Sequence, residues 1–332
     1  MRAVVVETPG THTLATVDDP TPGPGEVVVA PAAVGICGTD VHIVEGEFAP
    51  TPYPIIPGHE FTGEVVALGE GVTGLPTGTQ VAVDPSLFCG ACRFCAIGRG
   101  NLCERWGAIG DTVDGAMAEY VTVPAANCYR LPESVDTVQG TLIEPLSCAV
   151  RGFDVLPRRL GDHYLIYGAG TMGLMMLQLA RAAGAASLSV VDVNEGRLAV
   201  AARLGADATA IDAAALERPG GWETVIDCTG AIPAIEDGLT RVRRGGTFQQ
   251  FGVAPSAAKA SFSPFQVYND EITIVGSMAV LHSFGRAVDL MAKGVIDADT
   301  MLTHRFGLAD FTTALDTFRA GTGRKIQIHP GS

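Results

Sequence analysis

Over roughly the first 145 residues, short stretches such as EVVVAPAAV and FTGEVVALGEGV alternate apolar and polar positions between turn residues rich in Gly, Pro and Thr. A period of two, broken every few residues by turn formers, predicts half-buried strands with little helix, in an all-β, barrel-like unit. From about Asp162 the period changes. An apolar run (HYLIYG) leads through a glycine turn into a long helical pattern (TMGLMMLQLARAAG), then a strand (SLSVVDV) and a second helix (GRLAVAARLG). The alternation continues through ETVIDCTG, AIEDGLTRVR, TFQQFGV and ITIVGSM, which predicts the βαβ units of a doubly wound parallel sheet. The last 50 or so residues read as two helices, FGRAVDLMAKG and DFTTALDTFRAG, and a strand, RKIQIHP, and the pattern alone assigns them to neither unit.

Composition sharpens this picture in three ways. A chain of 332 residues with 47% apolar content is long enough for two cores. A net charge of −14 opposes a nucleic-acid backbone or an anionic membrane surface as partner and suits a small neutral substrate. No apolar stretch nears the length of a membrane span, since Gln178 and Arg181 interrupt the richest one, and MRAVVVETPG has no apolar core of a signal peptide. The expectation is a soluble, cytoplasmic protein whose eight cysteines are reduced.

Half of those cysteines carry chemistry. Cys89, Cys92, Cys95 and Cys103 fall in a C-x2-C-x2-C-x7-C run within a polar loop, the spacing of a closed, structural zinc lobe over residues 88–104. Upstream, Cys37 in GICGTDVH and His59 and Glu60 in PGHEFTGE form a candidate second metal site with a coordination position left open, the mark of a catalytic zinc. A lone Cys or His is more often a packing residue, and here the combination carries the reading. GAGTMG supplies Gly168, Gly170, Thr171, Met172 and Gly173 between a strand and a helix, which is the context of a dinucleotide pyrophosphate turn. About 20 residues further on, Asp192 ends the next strand, where a carboxylate accepts from ribose hydroxyls and repels a 2′-phosphate; this favours NAD over NADP, with Arg197 nearby as the group that would favour the phosphate. The bland alternative makes Asp192 a cap for GRLAVAARLG.

Together GICGTDVHIVEG, PGHEFTGEVVALG, the four-cysteine lobe, DGAMAEYV, GAGTMG and THRFGLADFTTALDTFRAG resemble the zinc-containing medium-chain dehydrogenases over essentially the whole chain. LIEPLSCAVRG is similar to the sorbitol, arabinitol and threonine dehydrogenase branch. The resemblance implies a GroES-like β-rich catalytic domain at 1–145 and 280–332, a Rossmann NAD-binding domain at 146–279, and two zinc ions per chain. It implies Cys37, His59 and Glu144 or Glu60 as catalytic-zinc ligands, although Glu144 also reads as a helix N-terminal carboxylate. It further implies a proton relay from Thr39 to His42, with Asp40 in support, against the plainer readings of a turn threonine and a core histidine. The expected reaction is NAD-dependent oxidation of a secondary alcohol on a polyol, sugar alcohol or cyclitol. L-threonine 3-dehydrogenase, an aminocyclitol dehydrogenase and a non-catalytic NAD-binding relative are the alternatives. Met117 and Asn127 depart from the branch and, if both line the pocket, would alter its shape and polarity. Assembly into a homodimer or homotetramer is expected through the edge strand ITIVGSM.

Overall fold

The computed structural model describes residues 1–48 and 50–332. In chain order its strands are β1 (Arg2–Thr8), β2 (Thr11–Thr16), β3 (Glu26–Gly35), β4 (Glu60–Leu68), β5 (Gln80–Val83), β6 (Ser86–Leu87), β7 (Gly107–Ala108), β8 (Val121–Pro124) and β9 (Cys128–Arg130). There follow β10 (His163–Tyr167), β11 (Ser187–Val191), β12 (Ala208–Ala210), β13 (Trp222–Asp227), β14 (Val242–Gln250), β15 (Thr273–Gly276), β16 (Leu302–Gly307) and β17 (Lys325–His329). They fall into two units, one of residues 1–147, 280–294 and 298–332, the other of residues 148–279 and 295–297.

In the first unit β16, β17, β3, β4, β5 and β9 run side by side, and β8 pairs with the free stretch of β3. The alternation predicted from sequence is visible in β4, where Phe61 and Val65 are buried while Glu64 and Val66 face outward. Inward-facing Val27, Val29, Val34, Phe61, Val81, Ile326 and Ile328 form its core. Pro31, which has no N–H to donate, sits at a register shift of β3 against β4, where a missing ladder bond is tolerated. The closing strand β17 is less expected. Its run KIQIH is buried at four successive positions, with Gln327 donating to Thr141 Oγ1 at 2.6 Å and to the Val138 carbonyl. THRF belongs to β16, pairing in parallel with β17.

The second unit is a six-stranded sheet in the order β12, β11, β10, β13, β14, β15, with every neighbouring pair parallel. Strand order reverses between β10 and β13, so the carboxyl ends of these two strands form the crevice where doubly wound sheets bind ligands. Leu165, Tyr167, Val225, Leu239 and Phe248 build the core on one face of this sheet. At one edge, β15 carries exposed Ile274, and exposed Phe265 and Tyr268 precede it on the helix Pro264–Asn269.

Candidate metal centres and cofactor turn

Cys37 and the pair His59 and Glu60 are far apart in sequence, and strand pairing brings them together. The end of β3 lies antiparallel to the start of β4, with Gly35 directly opposite Glu60. Cys37 follows two residues after Gly35 as the cap of the helix Gly38–Glu45, and its N–H donates to Asp40 Oδ2 at 2.8 Å. A side chain at Gly35 would collide with the Glu60 carboxylate, so glycine is what permits the close approach. As a result, one ligand atom from each of Cys37, His59 and Glu60 lies within 4.8 Å of the other two. Glu144 is buried in the first turn of the helix Ile143–Asp154 but is not part of that group.

Two residues missed in the sequence complete the surroundings. Lys325, at the start of β17 and 2% exposed, donates through Nζ to Glu60 Oε2 and to the Ile36 carbonyl at 3.2 Å. Burial works against its charge, but Glu60, Cys37 and Glu144 outweigh it and raise its pKa. Asp111, also buried, brings Oδ1 to 3.2 Å from His59 Nδ1, closer than Asp40 Oδ1 at 3.7 Å. Burial alone would lower the His59 pKa, yet Asp111 and Asp40 raise it well above its ordinary value. Burial pushes the Asp40 carboxyl up to about 6. Nothing in the periodicity singled out Asp111, one acid in a polar loop, whereas a lysine opening an otherwise buried strand was a signal for Lys325.

The two residues of the expected relay differ in setting. Thr39 Oγ1 is 3.9 Å from Cys37 Sγ. His42 is no core histidine: its side chain is 49% exposed and Nδ1 lies 2.8 Å from Glu47 Oε2. Met117 is packed entirely into the core, and the Asn127 amide donates to the carbonyls of Asp84 at 2.7 Å and Ser86 at 2.9 Å. Both departures from the branch therefore serve packing and loop structure, and the expectation of an altered pocket built on them falls away.

Cys89, Cys92, Cys95 and Cys103 present four sulfurs within 4.8 Å of one another, and none is in a disulfide. Backbone N–H groups point at them: Cys92 N–H donates to Cys89 Sγ at 3.3 Å, and Cys89 N–H and Arg105 N–H donate to Cys103 Sγ at 3.3 and 3.2 Å. The N–H groups of Ala91 and Cys92, with Arg105, pull the Cys89 thiol down to about 6, whereas burial and the neighbouring Cys92 and Cys103 push the Cys95 thiol up to about 12. Donor set and chemistry fit a tetrahedral zinc.

In the second unit, Gly168 directly follows β10 with φ of 96°, a conformation that favours glycine. A Cβ on Gly173 would overlap the Gly168 carbonyl oxygen, while one on Gly170 would meet nothing. Space at Gly170 is space for a phosphate, and the helix Thr171–Ala182 begins there with a glycine as its cap residue, which has no side chain to cover the first N–H groups. Met172 follows Thr171 in that first turn. The cap of the next helix, Glu195–Arg203, is Asn194 and not Asp192. Asp192 instead accepts from Ala169 N–H at 2.7 Å and Asn194 N–H at 2.8 Å, fastening the glycine turn to the end of β11, with Arg197 Nη1 3.9 Å away.

Comparison with known proteins accords with this geometry. Residues 23–133 match the family described as "Alcohol dehydrogenase GroES-like domain" and residues 171–293 the one described as "Zinc-binding dehydrogenase". D-arabinitol dehydrogenase 1 of Uromyces fabae is 36% identical, covering 99% of this chain and 97% of the relative. Sorbitol dehydrogenase of Halalkalibacterium halodurans is 30% identical over 99% of both chains. Among solved structures, a Sinorhizobium meliloti 1021 protein bound to NADP superimposes with a TM-score of 0.94 at 35% identity, covering 99% of each chain. An Escherichia coli CFT073 alcohol dehydrogenase complexed with NADH gives 0.93 at 28% identity, again over 99% of each chain. A GroES-like β-rich portion, a doubly wound nucleotide-binding sheet and relatives matched from end to end place the chain in the family of zinc-containing medium-chain dehydrogenases.

Proposed function

We propose that this chain is an NAD-dependent polyol dehydrogenase, of the sorbitol and arabinitol branch, that oxidises a secondary alcohol with two zinc ions per chain. The observation that carries the reading is the convergence of Cys37, His59 and Glu60 within 4.8 Å, separate from the closed four-cysteine cluster. A structural or binding-only relative has no use for such an incomplete ligand set. When bound, zinc acidifies a hydroxyl and the nicotinamide is the hydride acceptor. Cys37, His59 and Glu60 would hold the catalytic ion, with Glu144 as the further carboxylate, and Cys89, Cys92, Cys95 and Cys103 the structural one. Thr39, beside Cys37, would accept the substrate proton while giving up its own hydroxyl proton toward His42, which, open to water and beside Glu47, would release it to solvent. Gly168, Gly170, Thr171, Met172 and Gly173 seat the pyrophosphate, and the Asp192 carboxylate disfavours a 2′-phosphate despite Arg197 at 3.9 Å.

Arabinitol and sorbitol relatives matched over nearly the whole chain support the polyol assignment, and we infer a cytoplasmic homo-oligomer joined at the exposed edge β15. Among the described residues no helix is long and apolar enough to cross a membrane. The test is reduced-cofactor formation across pentitols, hexitols, inositols, L-threonine and simple alcohols, with NAD and NADP in parallel. Turnover of a polyol with NAD is the expected result. Activity confined to L-threonine overturns the substrate class, and a preference for NADP overturns the role given to Asp192.

A further inference from the structure

We propose that Asp111 is the positioning residue of the catalytic metal centre: it holds the His59 imidazole by Nδ1 and leaves Nε2 for the metal, while Asp40 secures the Cys37 loop. This rests on the metal site proposed above. The division of labour is written in the distances. Asp40 Oδ2 is already committed to Cys37 N–H at 2.8 Å, and its other oxygen stands 3.7 Å from His59 Nδ1. Asp111 Oδ1 is nearer, at 3.2 Å. His59 Nδ1, Asp111 Oδ1 and Asp40 Oδ1 are all sealed from solvent and have no hydrogen-bond partner elsewhere among the described residues, so two carboxylates face one ring nitrogen and Asp111 is the nearer, at 3.2 Å against 3.7 Å. A buried carboxylate oxygen without a partner is costly, so a facing imidazole N–H is what makes Asp111 tolerable there. A carboxylate behind a ligating histidine fixes its tautomer and ring orientation.

The backbone is shaped to deliver this contact. The Gly115, Ala116 and Met117 N–H groups donate to the carbonyls of Ile56, Gly58 and Pro57 at 2.7, 2.9 and 2.9 Å, laying the segment after Asp111 against the one before His59. Gly110 has φ of 85°, and a Cβ there would strike the backbone of Gly58, as would one at Gly115. Three glycines, one beside His59, one beside Asp111 and one in the strand-like stretch that follows, thus remove the side chains that would keep the two apart.

The zinc-loaded full chain provides the test, read as release of zinc to a chromophoric chelator under conditions that preserve the fold. The unmodified protein should carry two zinc ions released at different rates. In Asp111→Ala one ion should leave ~10- to 100-fold faster, with the other unchanged. Asp111→Asn, which keeps an oxygen to accept from Nδ1–H, should stay within a few-fold of the unmodified rate. Release from Asp111→Ala at the unmodified rate, with loss instead in Asp40→Ala, would overturn the assignment in favour of Asp40. A lower melting temperature with unchanged release would reduce Asp111 to a structural residue and overturn it equally. An unmodified chain that holds one zinc overturns the metal site itself, an outcome distinct from both. Should the alanine variant not fold, ¹⁵N-histidine spectra decide: a downfield His59 Nδ1–H resonance that moves in Asp111→Asn supports the proposal, and one that does not move refutes it.

Discussion

At the scale of single residues, the buried pair Lys325 and Glu60 is the most consequential contact outside the motifs. Both side chains are at most 3% exposed, so removing one partner strands a charge in a medium that cannot solvate it. Lys325→Met should lower stability by about 3–5 kcal/mol, read by denaturant unfolding, and Glu60→Gln in the same chain should recover part of the loss. Additive losses in the double variant would show that the two groups are not coupled. The motif residues Cys37, His59 and Glu60 were legible because their chemistry is rare enough to stand out beside one another. Asp111 was not, because one aspartate in a polar loop has no signature until folding shows what it faces, and Lys325 offered only the slight cue of a charge opening the strand RKIQIHP. Met117 and Asn127 teach the reverse lesson, since a departure from a familiar motif looked like substrate recognition and proved to be core packing and a loop brace.

Among the elements, the glycine turn after β10 is the least tolerant of change. Gly173→Ala forces a methyl onto the Gly168 carbonyl, and should cost about 1–3 kcal/mol and weaken NAD binding, measured by melting temperature and calorimetric titration. Normal binding by a stable variant would mean that the turn relaxes. In the four-cysteine loop, thiolates must compete with protons for zinc. Burial beside its neighbours pushes the Cys95 thiol up to about 12 while Cys89 is drawn down to about 6, so protons compete for the cluster and zinc release should accelerate as the solution is made acidic. A release rate flat from about pH 7 to about pH 4 would rule out thiolate ligation by these cysteines. Five of the six strands of the second unit were readable because parallel strands are apolar and their glycine turns conspicuous, whereas the three-residue edge strand β12 (Ala208–Ala210) is too short to show a period. The assignment of the last 50 residues was open to pattern alone, since β17 joins the sheet by pairing Gln327 with Gly35, about 290 residues earlier, and no local period encodes a distant partner.

For the molecule as a whole, the exposed edge of the six-stranded sheet is the feature to test. Among the described residues, backbone groups along β15 have no partner strand on one side, and Ile274, Phe265 and Tyr268 add apolar surface nearby. Ile274→Lys should shift the chain toward monomer in light scattering at micromolar concentration, and an unchanged mass would place any interface elsewhere. A different consequence follows from the position of β17. Glu60 is anchored by a lysine that lies 265 residues further along, in the last strand of the chain. A ribosome must therefore have made β17 before Glu60 can have its buried partner. Chains ended ahead of Lys325 would present Cys37, His59 and Glu60 without that anchor, and should hold zinc at the proposed centre more weakly than the chain through β17.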